Sequence, residues 1–373
     1  MRGWGRKVWP VAVLAALCVA MGFVPSAAQI VQDGGVSMRA RVVETDESQV
    51  QLAGQVEYGT QRLKVVMLEG PEKGRTFSAA NELRAQMDID KKFAVGDTAS
   101  VTWPEGGVKD GDVLVARDHY RLGWMGVLFG AFAVLLVAFG GWTGAKALFS
   151  FVFSCFAVWK LMIPLCLHGW SASWVAFATV SVLTAVIMYL VAGATRKGFA
   201  AFVGAMLGVG VSLVLAHFFA GVMHVNGATM PFVQALMNTG CETGDTADIF
   251  VGAIILASSG AVMDLAMDIA AGVREVKRHM PDLPRTELFL SGLRIGRSVV
   301  GTMTTTLLLA YSGGYLTLLM VFAAQGTHPL DFINSTLVSA EVVKTLVGSF
   351  GLVLVAPFTA LVSAAVMGRK GGG

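Results

Sequence analysis

The sequence predicts an α-helical polytopic membrane protein with about seven transmembrane helices after a signal peptide, and a small N-terminal extracytoplasmic β-domain. Three observations predict it. The chain of 373 residues is 55% hydrophobic and 14% charged, a balance found in multipass membrane proteins and not in soluble ones. Charges and short alternating runs crowd the first 120 residues, and beyond them lie apolar runs long enough to cross a bilayer, about 20 residues each. Lysine and arginine then fall on alternate connections between those runs.

Residues 1–28 read as a secretory signal. Arg2, Arg6 and Lys7 precede an apolar run from Val8 to Val24, and Ser26-Ala27-Ala28 offers a small-x-small cleavage site. An uncleaved anchor helix is the alternative, and both place residues 29–120 outside the cytoplasm.

Residues 29–120 form the β-domain. Alternating runs lie at Ser37 to Val43, Gln49 to Glu57, Arg62 to Leu68, Ala99 to Trp103 and Val113 to Ala116, separated by turn chemistry such as Glu69-Gly70-Pro71 and Gly96-Asp97. Five short strands suggest a barrel of the SH3 or OB type. No aromatic row interleaves its basic residues, so no nucleic-acid partner is expected.

Residues 121–370 form the helical domain, with spans at about 122–140, 145–167, 173–193, 199–222, 249–273, 298–324 and 341–367. Lys146, Arg196, Lys197, the 274–297 stretch, Arg369 and Lys370 share one side. The loops around His168, at 221–248 and at 325–334 carry no lysine or arginine. The positive-inside rule makes the basic side cytoplasmic, despite Arg117 and Arg121 before the first span. The expectation is a bacterial cytoplasmic (inner) membrane protein with its C-terminus inside. Membrane lipid is its first partner, and a homo-oligomer or an envelope protein is a further possible one. Pro357 is expected to kink the last span.

The fifth span carries two acids, Asp264 and Asp268, one turn apart on one face. Ala257, Gly260, Ala261, Ala271 and Gly272 share that face, while Ile255, Val262 and Ile269 recur opposite. The expectation is that acids and small residues turn inward and branched residues meet lipid. A carboxylate at membrane depth is costly, about 3 kcal/mol on insertion scales, and marks a functional site by default. Two close carboxylates resist joint ionisation, so the pair reads as a proton site. Arg294 or Arg297 pairing with Asp268 is the structural alternative.

In the sixth span Ser298, Thr302, Thr305 and Thr306 line one face beside Gly301. Thr305 and Thr306 are expected at about the depth of Asp264, where hydroxyls either donate to that carboxylate or line a wet path past it, or else bond their own helix carbonyls or glue helices together. Gly260, Gly296 and Gly301 are read as helix-packing positions. Near the outer face His168, His217, His224 and His328 approach Cys241, Glu242, Asp245 and Asp248. His217, His224, Cys241 and Glu242 make only a weak metal set, because no ligand spacing is defined. The four cysteines lack CxxC pairing, so no disulfide framework is expected, although Cys166 and Cys241 both fall near the outer face. Glu341 and Lys344 fall at the outer end of the seventh span. No P-loop, GxGD pair or hydrolase motif occurs, so neither an enzyme nor a bound cofactor is expected.

The series Gly260-Ala261-Val262-Met263-Asp264, Ile269-Ala270, Ser291-Gly292-Leu293-Arg294-Ile295-Gly296-Arg297 and Gly301-Thr302-Met303-Thr304 is distinctive. With it go Ala310-Tyr311, Glu341-Val342-Val343, Gly348-Ser349-Phe350-Gly351 and Ala356-Pro357-Phe358-Thr359. This series resembles the YibE/F-like family of bacterial multipass membrane proteins, and the outer stretch Leu68 to Gly74 looks like the family too. The family usually has asparagine at the position of Thr305 and a small or hydroxyl residue at that of Asp268. The resemblance therefore supports Asp264 as the acid. It implies a multipass topology and leaves two functions open, a permease or secondary transporter of a small solute or ion, and a non-transporting envelope scaffold or assembly factor acting through its β-domain.

Overall fold

The computed structural model describes residues 35–368 except 88, 105, 109–110 and 240–243. The signal segment, Cys18, Cys241, Glu242, Arg369 and Lys370 lie outside the described residues. The chain divides into two compact units, residues 28–138 and residues 139–373 with 1–27.

The first unit contains a closed five-stranded barrel: β1 (Gly35–Ala53), β2 (Val56–Met67), β3 (Thr76–Arg84), β4 (Thr98–Pro104) and β5 (Val113–His119), in the order β1-β2-β3-β5-β4. β3 and β5 pair in parallel and the other neighbours antiparallel. The strand count matches the sequence reading, but the strands differ. The first predicted strand and most of the second are one element, β1, which irregular pairing between Val42 and Glu44 and between Asp46 and Gln49 bends around the barrel. At the β1–β2 end Gly59 has φ 118°, and a Cβ there would collide with the Gln49 carbonyl.

β3 was not expected. Its inward row is Ala79, Asn81 and Leu83, and the buried asparagine interrupts the apolar alternation that marks a strand. Asn81 Nδ2 donates to Gln61 Oε1 (3.1 Å) and to the Lys91 carbonyl (2.6 Å). Gln61 in turn accepts from the Phe93 amide (3.0 Å) and donates to the Phe93 carbonyl (2.9 Å). Two buried amides thus hold the 91–93 segment against the barrel, with Phe93 in the core beside Val42, Leu63 and Val101.

The helical region comprises α1 (Leu122–Ala157), α2 (Ile163–Leu167), α3 (Ala172–Ala192), α4 (Arg196–Val222), α5 (Val233–Met237), α6 (Thr246–His279), α7 (Arg285–Gly314), α8 (Leu316–Ala324), α9 (Pro329–Asn334) and α10 (Thr336–Met367). Between α1 and α2 the turn widens over Val158–Met162. Pro164 lacks the amide that would close a normal turn onto Lys160. Among the described residues five stretches are long and apolar enough to cross a membrane, and six if α7 and α8 count as one bent span. One of the five, Leu122–Leu167, covers the first two predicted spans. Its helix breaks at Gly141 (φ 53°, ψ −130°), between them.

The predicted span 298–324 is not one rod. α7 begins 13 residues earlier, at Arg285, ends at Gly314, and is followed by α8 at an angle of 64°. The glycine pair Gly313-Gly314 gives the chain the freedom to leave the helix there. α10 runs through Pro357 without interruption.

α10 is central, packing on α4, α6 and α7, and α6 also packs on α3, α4 and α7. Small residues set the α4–α10 approach. A Cβ on Gly204 would overlap Thr359, one on Gly351 would overlap Ser212, and one on Gly208 would lie 3.1 Å from the Gly351 carbonyl.

Candidate functional site

α6 presents the reverse of the expected orientation. Ile255, Val262 and Ile269 are fully buried, whereas Ala257, Gly260, Asp264 and Asp268 are exposed. The reason is crowding. With neighbours on α3, α4, α7 and α10, α6 needs bulky apolar side chains on most of its circumference to fill the core. The acids occupy the flank left open.

The adjacent helix α7 runs antiparallel. A Cβ on Gly296 would lie 3.3 Å from Ile269 Cδ1, and one on Gly292 would lie 3.0 Å from Val273 Cγ2. Continuing that pairing by five residues on each helix, about 7.5 Å, sets Asp264 level with Gly301 and Thr302, and Asp268 level with Arg297. Arg294, Arg297, Ser298, Gly301, Thr302, Thr305 and Thr306 are all exposed. The exposed residues of α6 thus include both acids, and those of α7 include the hydroxyls and both bases.

Among the described residues these acids, hydroxyls and bases are not bonded to one another. Thr302 Oγ1 donates to the Val299 carbonyl (2.9 Å), Thr305 Oγ1 to that of Gly301 (3.0 Å) and Thr306 Oγ1 to that of Thr302 (2.9 Å). Ser298 does the same to Ile295 (2.7 Å). Each hydroxyl keeps lone pairs free to accept, so it can still solvate a passing donor or cation. Among the described residues Asp264 and Asp268 have no hydrogen-bond or ion-pair partner, and Arg294 and Arg297 do not reach Asp268. Of the three glycines, Gly296 lies against Ala356, where an added Cβ would come within 2.8 Å, while Gly260 and Gly301 face open space.

The histidine set is dispersed. His217 Nε2 lies 3.7 Å from Asp248 Oδ1, and its Nδ1 bonds the Leu213 carbonyl. Asp248 Oδ2 accepts from the Ser173 amide (3.3 Å), which ties α6 to α3. His224 sits in a turn at φ 52°. Among the described residues no group of three or more metal-ligating side chains converges.

Sequence reading missed a second constellation, at the break between α7 and α8. Lys344 Nζ donates to Glu341 Oε1 (2.9 Å) and to the Tyr315 hydroxyl (2.9 Å), and lies 5.1 Å from the centre of the Tyr315 ring. The side chains of Glu341 and Lys344 are 17% and 12% exposed, so this pair is largely removed from its surroundings. Glu341 Oε2 and the Tyr311 hydroxyl are buried without a partner. The signal was present as Glu341-x-x-Lys344, one turn apart, with Tyr311 and Tyr315 also one turn apart. Nothing in the sequence said that α7 ends between the tyrosines.

Comparison with known protein families gives a match to the model described as YibE/F-like protein, over residues 128–369. It spans the helical region and leaves out the barrel, including the Leu68 to Gly74 stretch. Comparison with curated proteins and with solved structures gives no match. The matched region is well over half of the chain and holds both polar constellations; the chain belongs to the YibE/F-like family.

Proposed function

We propose that this protein is a permease, a secondary transporter in which Asp264 is the protonatable group of the membrane domain. The observation that carries this reading is the placement of Asp264 on an open flank, one turn from Asp268 and level with Thr302, without a protein partner. A carboxylate held only for structure would be paired, because an unpaired one at membrane depth is costly. A carboxylate that must gain and lose a proton or cation needs access instead. Thr302, Thr305 and Thr306 line the same path, and a second copy of the chain closes it from the open side.

In the bacterial cytoplasmic membrane the barrel lies outside and the C-terminus inside, as the distribution of basic residues supports. Dividing Leu122–Leu167 at Gly141 and counting α7 with α8 as one bent span gives seven crossings, which agrees with an exported N-terminal domain. The strand order β1-β2-β3-β5-β4 and the parallel β3–β5 pairing support reading the barrel as OB-like, a scaffold that presents binding surfaces. That feature favours the second reading, an envelope scaffold acting through the barrel. Proton uptake by the purified protein in liposomes, compared with Asp264→Asn, separates the two. A transporter loses uptake with the acid, whereas a scaffold shows none in either form.

A further inference from the structure

A cavity of about 320 Å³ opens beside the break between α7 and α8, lined by Leu308, Tyr311, Tyr315, Phe332, Glu341 and Val342 among others. Its size is at the lower end of small-molecule sites, about 300–1,000 Å³. The wall is mostly apolar, and Phe332 is fixed by an edge contact with Phe322 of α8 (5.3 Å). Few polar groups line it. Glu341 Oε1 is satisfied by Lys344, but Glu341 Oε2 and the Tyr311 hydroxyl are buried and unpartnered.

A buried carboxylate oxygen without a donor is costly, and the atom it lacks is a hydrogen-bond donor. The charge balance restricts that donor further. Glu341 and Lys344 already neutralise each other, so a charged ligand of either sign would leave an uncompensated charge in a low-dielectric site. A neutral donor would not. From this geometry we propose that the cavity binds a neutral amphipathic molecule, an apolar body bearing one hydroxyl or amide N–H that donates to Glu341 Oε2 and contacts the Tyr311 hydroxyl. This inference does not rest on transport, and the site is separate from the Asp264 flank.

The test uses the purified full-length chain in nanodiscs and ligand-observed NMR, with empty nanodiscs as background. The probes are hexanol and methoxypentane, which contain the same atoms but differ in having a donor, together with hexylamine and hexanoate. Saturable hexanol binding is expected, at least about tenfold tighter than the ether, since a site built around an acceptor rejects an analogue without the donor. The two charged probes bind more weakly than hexanol. The double variant Glu341→Met/Lys344→Met removes the acceptor without stranding a charge and should abolish the preference for hexanol. Should it fail to fold, Tyr311→Phe should reduce that preference severalfold, and Val342→Trp should fill the cavity and remove saturable binding. The proposal is overturned by equal binding of alcohol and ether, by tighter binding of amine or carboxylate, by uptake that never saturates, or by a preference that survives in every folded variant.

Discussion

Lys344 Nζ and Glu341 Oε1, 2.9 Å apart, form an ion pair that the protein keeps nearly nine-tenths from exposure on the lysine side, beside the end of α7. Lys344→Met should destabilise the folded protein by about 3–5 kcal/mol, because it leaves Glu341 buried and unpaired. The double change Glu341→Met/Lys344→Met should cost less than the single one. Thermal unfolding of both in the same detergent checks this, and a double variant less stable than Lys344→Met would show that the pair itself holds the helices together.

The glycines make opposite predictions according to where they sit. Gly204→Leu forces a side chain into Thr359 and should eliminate folded protein, since helix backbones cannot separate without opening the α4–α10 core. Gly260→Leu meets open space within the chain and should leave the unfolding temperature nearly unchanged. If a second copy closes the flank, Gly260→Leu should nevertheless lower the assembled mass in light scattering. An unchanged mass would place the subunit contact elsewhere or remove it.

In the barrel, Asn81→Leu leaves the Lys91 carbonyl without its side-chain donor, removes one of the two bonds to Gln61 Oε1, and should cost about 1–3 kcal/mol. The effect should be local first. Hydrogen exchange of the Phe93 amide, which is bonded to Gln61 Oε1, should accelerate before that of β2 does. Uniform acceleration across the barrel would mean that the 91–93 segment has no stability of its own to lose.

Glu69 accepts from Arg39 Nε (2.7 Å) and from the Arg39 amide (2.8 Å). Those bonds hold its carboxyl below the usual carboxylate range. A depressed folded value means that the stabilisation is present above the unfolded pKa, about 4.3, and is lost as pH falls through the folded value. Both side chains are more than a third exposed, so the effect is modest. Glu69→Gln should lower the unfolding temperature slightly at pH 7 and by progressively less below about pH 4. A gap that widens in acid would contradict the assignment.

Much of this architecture was legible from residue pattern alone. The change at residue 120, the apolar runs and the β-domain are all read from hydrophobic periodicity and turn residues. What failed did so for identifiable reasons. β3 was hidden because Asn81 is buried through amide partners that lie far away in sequence. The orientation of α6 was inverted because small and acidic residues on a helix predict a packed face only when the number of neighbours is known. Packing surrounds Ile255, Val262 and Ile269 and leaves Asp264 outside. The Glu341–Lys344–Tyr315 cluster required the position of a helix break, and Gly313-Gly314 permits one without imposing it. Asp264, Thr302, Thr305 and Thr306 are all exposed, and the local bonds of the hydroxyls are invisible to spacing.

Proton movement into proteoliposomes tests the central claim most directly. An internal pH dye would be followed while divalent cations, small anions and amino acids are presented in turn, with Asp264→Asn reconstituted at equal density. The account predicts a solute-dependent pH change in the wild type, reduced at least about tenfold in the variant, as expected when an essential protonatable group is removed. An equal pH change in a well-folded Asp264→Asn protein would contradict the role given to Asp264. No pH change with any solute in either protein would contradict transport and leave the barrel as the functional surface.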